Sequence, residues 1–383
     1  MAAATTCGHA VRASLTAMRV LAVNAGSSSL KLALLDASDQ VLAEANLPLP
    51  SMHDIPSRLA GFLAGVPAAD AAGHRVVHGG TRFRSSQVVT GEVLDELRAL
   101  GELAPLHNPP ALAAIEALRR LRPELPSVAC FDTAFHASLP DAAATYAVPW
   151  SWTEQHGIRR FGFHGLSHAY AARRAAELLR RPLGGLRVVT CHLGAGASLA
   201  AVAGGASVDT TMGFTPLEGL VMATRSGSLD PGALLLVQRR LGLAPEEAER
   251  VLDRESGLLG VSGISGDIRQ VLDAAGKGHA RARLAVAVYQ HRLRAGIAAM
   301  AAAMGGLDAL VFTAGVGEHQ PPVRQAACDG LAFLGVGLDA AANKEADGDA
   351  DLSSPGARVR ALLVHAREDL EIARETRRLL VPA

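Results

Sequence analysis

Two stretches of this chain, VLAVNAGSSSLKLALLD at residues 20–36 and VVTCHLGAGASLAAVAG at residues 188–204, follow one plan. Each is an apolar strand, a tight turn of Gly, Ser, Ala or similar small residues, and a second apolar strand. Apolar runs joined by such a turn read as β-hairpins. One hairpin near the start of each half points to an internal duplication, so the second half must repeat the fold of the first. The remainder alternates helix and strand signals. Helices are expected at 109–121, with Pro in the first turn, and at 167–180, 230–241, 245–253, 279–304 and 368–380. Short buried strands are expected at 128–131 and 310–313. This alternation predicts α/β layering with mixed sheets. The halves are expected at 19–150 and 151–368, because Pro140, Pro149 and Trp150 interrupt the pattern.

Composition narrows the class. With 383 residues and 49% hydrophobic content the chain can bury more than one core. Basic and acidic side chains balance at 37 each, which argues against nucleic acid or an anionic membrane as the main partner. No apolar stretch is long enough to span a bilayer, since the Ala-rich run after Arg294 meets Asp308. Cys7, Cys130, Cys191 and Cys328 are scattered without a CxxC pair, which fits a reduced, cytoplasmic chain. Residues 1–17 contain no acidic side chain, as in a transit peptide, and no secretory apolar run. Met18 directly precedes the first strand, so 1–18 is expected to be a disordered extension.

The usual nucleotide motifs are missing. There is no GxxxxGK[ST] and no GxGxxG opening a helix after a strand. Three Gly-rich turns, at 24–29, 192–196 and 313–318, nonetheless each follow an apolar strand. Such turns expose backbone N–H groups and let phosphate oxygens approach without a Cβ in the way. A single one is ordinarily just a hairpin loop; three of them favour a polyphosphate site, and Lys31 adds a cation beside the first. His164 and His168 are spaced as a zinc pair could be, but no HExxH motif or cysteine ligand accompanies them. Arg75, Asp132, His164 and Arg225 lie in short polar segments at strand ends or helix starts. Fixed cations and donors of this kind suit phosphoryl transfer, whose transition state spreads negative charge over oxygens.

Eleven segments carry a family pattern in order along the chain: VNAGSSSLK (23–31), HRVVHGG (74–80), PLHNPP (105–110), FDTAFH (131–136), RRFGFHGLSH (159–168), CHLGAG (191–196), TTMGFTPLEGL (210–220), TRSG (224–227), GVSGISGDIR (260–269), FTAGVGE (312–318) and IARET (372–376). On these the chain resembles the acetate/propionate/butyrate kinase family, within the actin, sugar kinase and Hsp70 ATPase superfamily. The resemblance implies an α/β fold of two duplicated actin-like ATPase (ribonuclease H-like) domains, with mixed sheets flanked by helices and an interdomain cleft. It implies that 369–383 completes the first domain, and that the second holds the nucleotide site and the interface of a homodimer. It further implies Mg²⁺-dependent, reversible, in-line phosphoryl transfer between ATP and acetate, with Mn²⁺ as a substitute metal.

By the same resemblance, Asn24 and Glu368 attend the metal, and Lys31 contacts nucleotide phosphates. Arg75 binds the carboxylate substrate, while Asp132, His164 and Arg225 are catalytic. His192, Leu193, Gly194, Ala195 and Gly196 cradle phosphates; Asp267, Ile268 and Arg269, with Gly315, Val316, Gly317, Glu318 and His319, surround the adenosine. Val77, Leu106, Phe163 and Pro216 each adjoin a site motif and are expected to line the acyl pocket. Acetate is already ionised near neutral pH, so Asp132 is not needed as a general base and metal positioning is its other reading. One methylene is worth only ~1–3 kcal/mol in an apolar pocket, so propionate or another short-chain carboxylate stays open as substrate. Four positions depart from the family pattern: Ala195 and His319 each replace Asn, Ser228 replaces Asp, and Ala366-Arg-Glu-Asp-Leu370 replaces a TNEEL motif. The altered nucleotide turns also keep pyrophosphate open as phosphoryl partner. A non-catalytic nucleotide-driven binding module is disfavoured by the full set Arg75, Asp132, His164 and Arg225.

Overall fold

The computed structural model describes residues 18–26, 29–103 and 108–381. Residues 1–17 of the expected extension and Leu106 lie outside the described residues; Met18, expected with the extension, is buried instead, and its carbonyl accepts from Arg377 Nε. The chain divides into two compact units, Met1–Ala137 with Arg367–Ala383, and Ser138–Ala366. Residues 138–150, expected with the first half, group with the second. Ser138 Oγ donates to the Ser207 carbonyl at 2.9 Å, and the Tyr146 hydroxyl bonds Glu218 and accepts from Phe214 N.

Each unit is built on a six-stranded mixed sheet. In the first, β1 (Val20–Ala25), β2 (Ser29–Leu35), β3 (Val41–Pro48), β4 (Ala71–Val76), β5 (Gln87–Val88) and β6 (Ser127–Phe131) lie in the order β3-β2-β1-β4-β6-β5. In the second, β7 (Arg187–Leu193), β8 (Ala197–Ala203), β9 (Ala206–Thr210), β10 (Ala309–Thr313), β11 (Ala350–Asp351) and β12 (Arg360–Leu363) lie in the order β9-β8-β7-β10-β12-β11. The two orders superpose strand for strand. In both, the first three strands are antiparallel, the next two run parallel to the first, and a two-residue strand pairs antiparallel at the far edge. Even the irregularity repeats, with a register shift between Leu34 and Leu35 in one unit and between Ala201 and Val202 in the other. The duplication read from the hairpins therefore extends over the whole sheet.

Sequence explains the layering. The inner strands β6 and β10 are buried at every residue, as parallel strands covered on both faces must be. The outer strand β3 alternates Ala with Glu and Asn, and none of its residues is fully buried. In the first unit, Ile55–Ala64 and Asn108–Leu121 pack together on one side, with Ile115 and Leu118 fully buried. Glu368–Leu380 packs on β1, β4 and β6. The contact is close at Gly73, where an added Cβ would lie 2.3 Å from Thr376 Oγ1 and 2.4 Å from Ile372 Cγ2. In the second unit, Gly165–Leu179 packs on β7 and β10, and the long Ala280–Ala303 helix on β7, β8 and β9.

The connectivity is an exchange. The chain leaves β6 and forms the Gly165–Leu179 helix of the second unit; it leaves β12 and returns as the Glu368–Leu380 helix of the first. One expected turn is different in kind. Residues 313–318 do not make a hairpin loop: Thr313 ends β10 and Ala314–His319 is a short helix. A Gly pair after a strand is compatible with either, and here the next strand in space is parallel, so the chain must cross over through helices. Among the described residues no helix is long and apolar enough to cross a membrane. Cys130, Cys191 and Cys328 are buried free thiols.

Candidate active site

In the first unit the polar groups gather at the carboxyl ends of the parallel strands, where open α/β sheets place their ligands. Arg75 on β4 donates to Asp132, which follows β6, through both Nε and Nη2; the Nη2–Oδ2 distance is 2.6 Å. Its third nitrogen, Nη1, lies 3.3 Å from Asn24 Oδ1 and 3.8 Å from Glu368 Oε2. Asn24 Nδ2 in turn donates to Glu368 Oε2 at 2.9 Å. Four residues from β1, β4, the end of β6 and the first turn of the last helix thus form one network. Burial alone would lower the Arg75 pKa, but the charges of Asp132 and Glu368 reverse this and raise it, so the guanidinium stays charged. Asp132 thus takes two nitrogens of the Arg75 fork, and Asn24 and Glu368 face the third.

The surrounding turn is braced. Asn108 accepts from His78 N at 3.1 Å and donates to His78 O at 3.0 Å, as a strand partner would. Gly79 N donates to Thr133 Oγ1 and Gly80 N to His78 Nδ1. His74, buried next to Arg75, is pushed down to about 3 by burial and is neutral. Lys31 is exposed on β2, opposite Asn24 in register. Val77 is half-buried.

The donor set Asn24, Asp132 and Glu368 offers hard oxygens. Among the described residues no group of three or more His, Cys, Asp or Glu could hold a metal by itself. Mg²⁺ does not require one, since it keeps several waters and phosphate oxygens and takes only one or two protein carboxylates. The residues fit that ion.

In the second unit the turn after β7 is tight, with Gly194 N donating to Gly196 O at 2.9 Å. A Cβ on Gly196 would lie 3.4 Å from Arg225 Nη1 and 3.5 Å from His164 Nε2. Glycine at this position therefore keeps open a space flanked by a guanidinium and an imidazole. His164 has a left-handed backbone, φ 55°, just before the Gly165–Leu179 helix. Strain in a non-glycine residue is tolerated where the site depends on it. The His164 ring stacks on His192, with centroids 4.1 Å apart. Ser198 Oγ sits 2.8 Å from His164 Nδ1 and 2.8 Å from His168 Nε2, while Thr190 Oγ1 sits 2.7 Å from His168 Nδ1. Both ring nitrogens of His168 are thus engaged by hydroxyls. His192 Nδ1 bonds Ser167 Oγ at 2.8 Å. Ser198, Ser167 and Thr190 had no signal in the sequence beyond lying inside or next to the motifs.

Arg225 is held by Asp253, with Nε 2.8 Å from Oδ1, and its Nη1 is 3.5 Å from the Pro216 carbonyl. Pro216 is half-buried, whereas Phe163 is 1% exposed and packs inside the unit. Ala195 is exposed, and its carbonyl accepts from Ala223 N at 3.1 Å, tying the turn to the loop that carries Arg225.

The two expected adenosine segments behave differently. Asp267 caps the Ile268–Gly276 helix by accepting from Arg269 N, and ion-pairs with the Arg269 side chain at 2.6 Å. Hydrogen bonds from Arg269 hold its carboxyl below the usual range. Ile268 is buried. In Ala314–His319, Gly315 is exposed with open space where a Cβ would be. Glu318 turns inward to accept from Ala366 N at 2.9 Å, and His319 is exposed. The segment is fixed by Arg324, a fully buried residue that donates to the carbonyls of Gly317 and Glu318 and to Asn343. No sequence signal marked it.

A profile of the Acetokinase family matches residues 65–374. The acetate kinase of Trichormus variabilis is 45% identical over 95% of this chain and 100% of its own length. That of Gloeobacter violaceus is 55% identical over 80% of this chain and 76% of its own. Among solved structures, Porphyromonas gingivalis acetate kinase has a TM-score of 0.88 at 37% identity, covering 95% of this chain and 100% of that one. A propionate kinase from Francisella tularensis has a TM-score of 0.87 at 36% identity, covering 94% and 99%. With the duplicated sheets, the Arg75–Asp132 network and the Gly196 cradle, these similarities establish that the chain belongs to the acetokinase family.

Proposed function

We propose that this enzyme transfers the γ-phosphoryl group of ATP to acetate, reversibly, giving acetyl phosphate and ADP. The observation that carries the proposal is the space over Gly196, faced by Arg225 Nη1 and His164 Nε2. A carboxylate oxygen attacks the γ-phosphorus, its P–O bond forms as the β–γ bridge breaks, and the bridging electron pair leaves with ADP. No proton has to move. Arg225 and His164 stabilise charge on the equatorial oxygens, and the 192–196 turn presents backbone N–H groups to the phosphates. Arg75 orients the carboxylate. Asp132 holds Arg75 by two nitrogens, Nε and Nη2, which supports a positioning role over that of a base.

Asn24, Asp132 and Glu368 are the residues that would hold Mg²⁺, with Mn²⁺ as a substitute. When bound, the ion neutralises charge on the nucleotide phosphates. Lys31 supplements it. Of the residues expected to line the acyl pocket, Val77 and Pro216 are half-buried and keep that role in this reading, while Phe163 is buried within the second unit. Asp267, Ile268, Arg269 and the 315–319 segment surround the adenosine. We further infer a cytoplasmic homodimer. The Pro231–Leu241 helix buries none of its residues and exposes Leu235 and Leu241 at 56% and 70%, an apolar surface suited to a second copy.

The test is acyl phosphate formation with Mg-ATP, trapped as hydroxamate, from acetate, propionate and butyrate in parallel. A kcat/KM highest with acetate is expected. The likeness to a propionate kinase makes propionate the second reading, and a higher value with propionate would select it. Replacing ADP by phosphate in the reverse direction tests pyrophosphate as the partner. Absence of acyl phosphate in every arm would refute the proposal.

A further inference from the structure

The loop that carries Arg225 is clamped on all sides by backbone. Ala223 N donates to Ala195 O, Leu258 N to Met222 O, Ser256 N to Thr224 O and Ser226 N to Leu252 O. Gly257 permits the closest approach, because a Cβ there would lie 2.3 Å from Met222 O and 2.7 Å from Arg225 O. These bonds fix the main chain and leave the four torsions of the arginine side chain undetermined. Among the described residues the ion pair to the guanidinium comes from Asp253, in the last turn of the Pro245–Arg254 helix. Asp253 Oδ1 receives Nε at 2.8 Å, and Asp253 O receives Thr224 Oγ1 at 2.8 Å.

The choice of nitrogen matters. A carboxylate on Nε engages the inner side of the fork and leaves Nη1 directed to the space over Gly196, where its remaining contacts are long: 3.5 Å to Pro216 O and 3.9 Å to Met222 Sδ. In the family pattern an acid directly follows the TRSG segment, at position 228; this chain has Ser228. Ser228 serves a backbone role instead, its N donating to Gly219 O and its Oγ accepting from Gly219 N. The carboxylate near this loop is thus supplied by a neighbouring helix.

We propose that Asp253 is a positioning residue for phosphoryl transfer: it holds Arg225 by Nε so that the terminal nitrogens meet the transferring group. The proposal rests on the reading of Arg225 given above. Its mechanism is preorganisation, since an arginine left to sample rotamers must be ordered in each turnover.

The experiment compares Asp253→Ala, Asp253→Glu, Arg225→Ala and the Asp253→Ala/Arg225→Ala double variant, in the full-length enzyme with Mg-ATP and acetate. Asp253→Ala is expected to lower kcat on the order of 10- to 100-fold while both KM values stay within about 3-fold. Asp253→Glu should recover part of the loss. In the Arg225→Ala background, removing Asp253 should change the residual kcat by less than about 3-fold, because the residues act as a unit. A thermal midpoint matching the parent enzyme separates this from misfolding; if Asp253→Ala fails to fold, Asp253→Glu and Asp253→Asn carry the same comparison. Additive losses in the double variant, or a kcat for Asp253→Ala near the parent value, overturn the positioning role. If Arg225→Ala itself retains near-parental kcat, the site reading fails instead.

Discussion

The hairpins β1–β2 and β7–β8 put Asn24 and His192 at the same strand position, yet the two units use it in opposite ways. Asn24 joins a charged network in which one cation, Arg75, faces two carboxylates, Asp132 and Glu368. His192 stacks on His164 beside a glycine turn bordered by Arg225 and the His164 ring. Register extends the contrast. β1 pairs β4 with Val23 opposite His74, and β7 pairs β10 with Cys191 opposite Phe312, so Arg75 in one unit stands where Thr313 stands in the other. One sheet scaffold thus carries two sites: ion pairs suited to a carboxylate and a hard metal, and backbone donors with one guanidinium suited to phosphate. Duplication supplied equivalent strand ends, and the residues there set the chemistry.

The largest expected effect tests that division through the two arginines. Arg225→Ala should lower kcat by about 1,000-fold, the scale for a transition-state cation or donor. Arg75→Ala should act mainly on the KM for acetate and leave the KM for ATP within a few-fold. Steady-state kinetics with each substrate varied will check both. If the two variants show the same split between kcat and KM, the contrast between the units is wrong.

A smaller effect comes from the turns. Gly196→Ala places a methyl 3.4 Å from Arg225 Nη1 and 3.5 Å from His164 Nε2, in the space assigned to the phosphoryl group. We expect kcat/KM for ATP to fall on the order of 10- to 100-fold, with stability little changed. Gly26→Ala, in the first unit's turn at the position that Gly194 holds in the second, meets only Ser29 O at 3.5 Å among the described residues and should be nearly silent. Equal losses in both would sink the idea that only the second turn is a cradle.

Much of this was legible in the sequence, for local reasons. The hairpins announce themselves because continuous apolar runs and small-residue turns are short-range signals, and the Glu368–Leu380 helix has acidic residues in its first turn and arginines in its last. Arg75, Asp132, His164 and Arg225 were singled out because each sits in a compact motif. Asp253, Ser198 and Arg324 were not, because their meaning lies in pairings 28, 34 and 19 residues away with Arg225, His164 and Asn343. The 313–318 segment was read as a turn because glycines after a strand encode freedom of φ and not the hydrogen bond that comes next. The return of the last helix to the first unit was legible only through the family resemblance, since no residue in Glu368–Leu380 by itself identifies the sheet it will cover.

Stability offers a third test. Gly73 on β4 lets the Glu368–Leu380 helix approach, whereas the matching register position on β10 is Val311. Gly73→Ala forces contacts of 2.3–2.4 Å with Thr376 and Ile372 and should destabilise the first unit by about 1–3 kcal/mol. Urea unfolding followed by amide exchange should place the loss in β1, β4 and the last helix. Uniform loss in both sheets would mean that the units do not unfold separately.

The smallest effect concerns the point where the two sheets part. β4 continues in extended form through Val76, while the chain leaves β10 at Ala314 with φ 64° and enters the Ala314–His319 helix. A left-handed alanine costs ~1–2 kcal/mol relative to the right-handed form, a penalty that glycine does not bear. Ala314→Gly should therefore shift the urea midpoint upward by an amount equivalent to about 1 kcal/mol or less, after the greater freedom of glycine in the unfolded chain is subtracted. Nucleotide affinity decides what the strain is for. If Ala314 only tolerates its conformation, the KM for ATP will not change. If its methyl, 3.9 Å from the Cβ position of Gly194, helps to hold the two phosphate-facing segments in register, the KM will rise even as the fold becomes more stable.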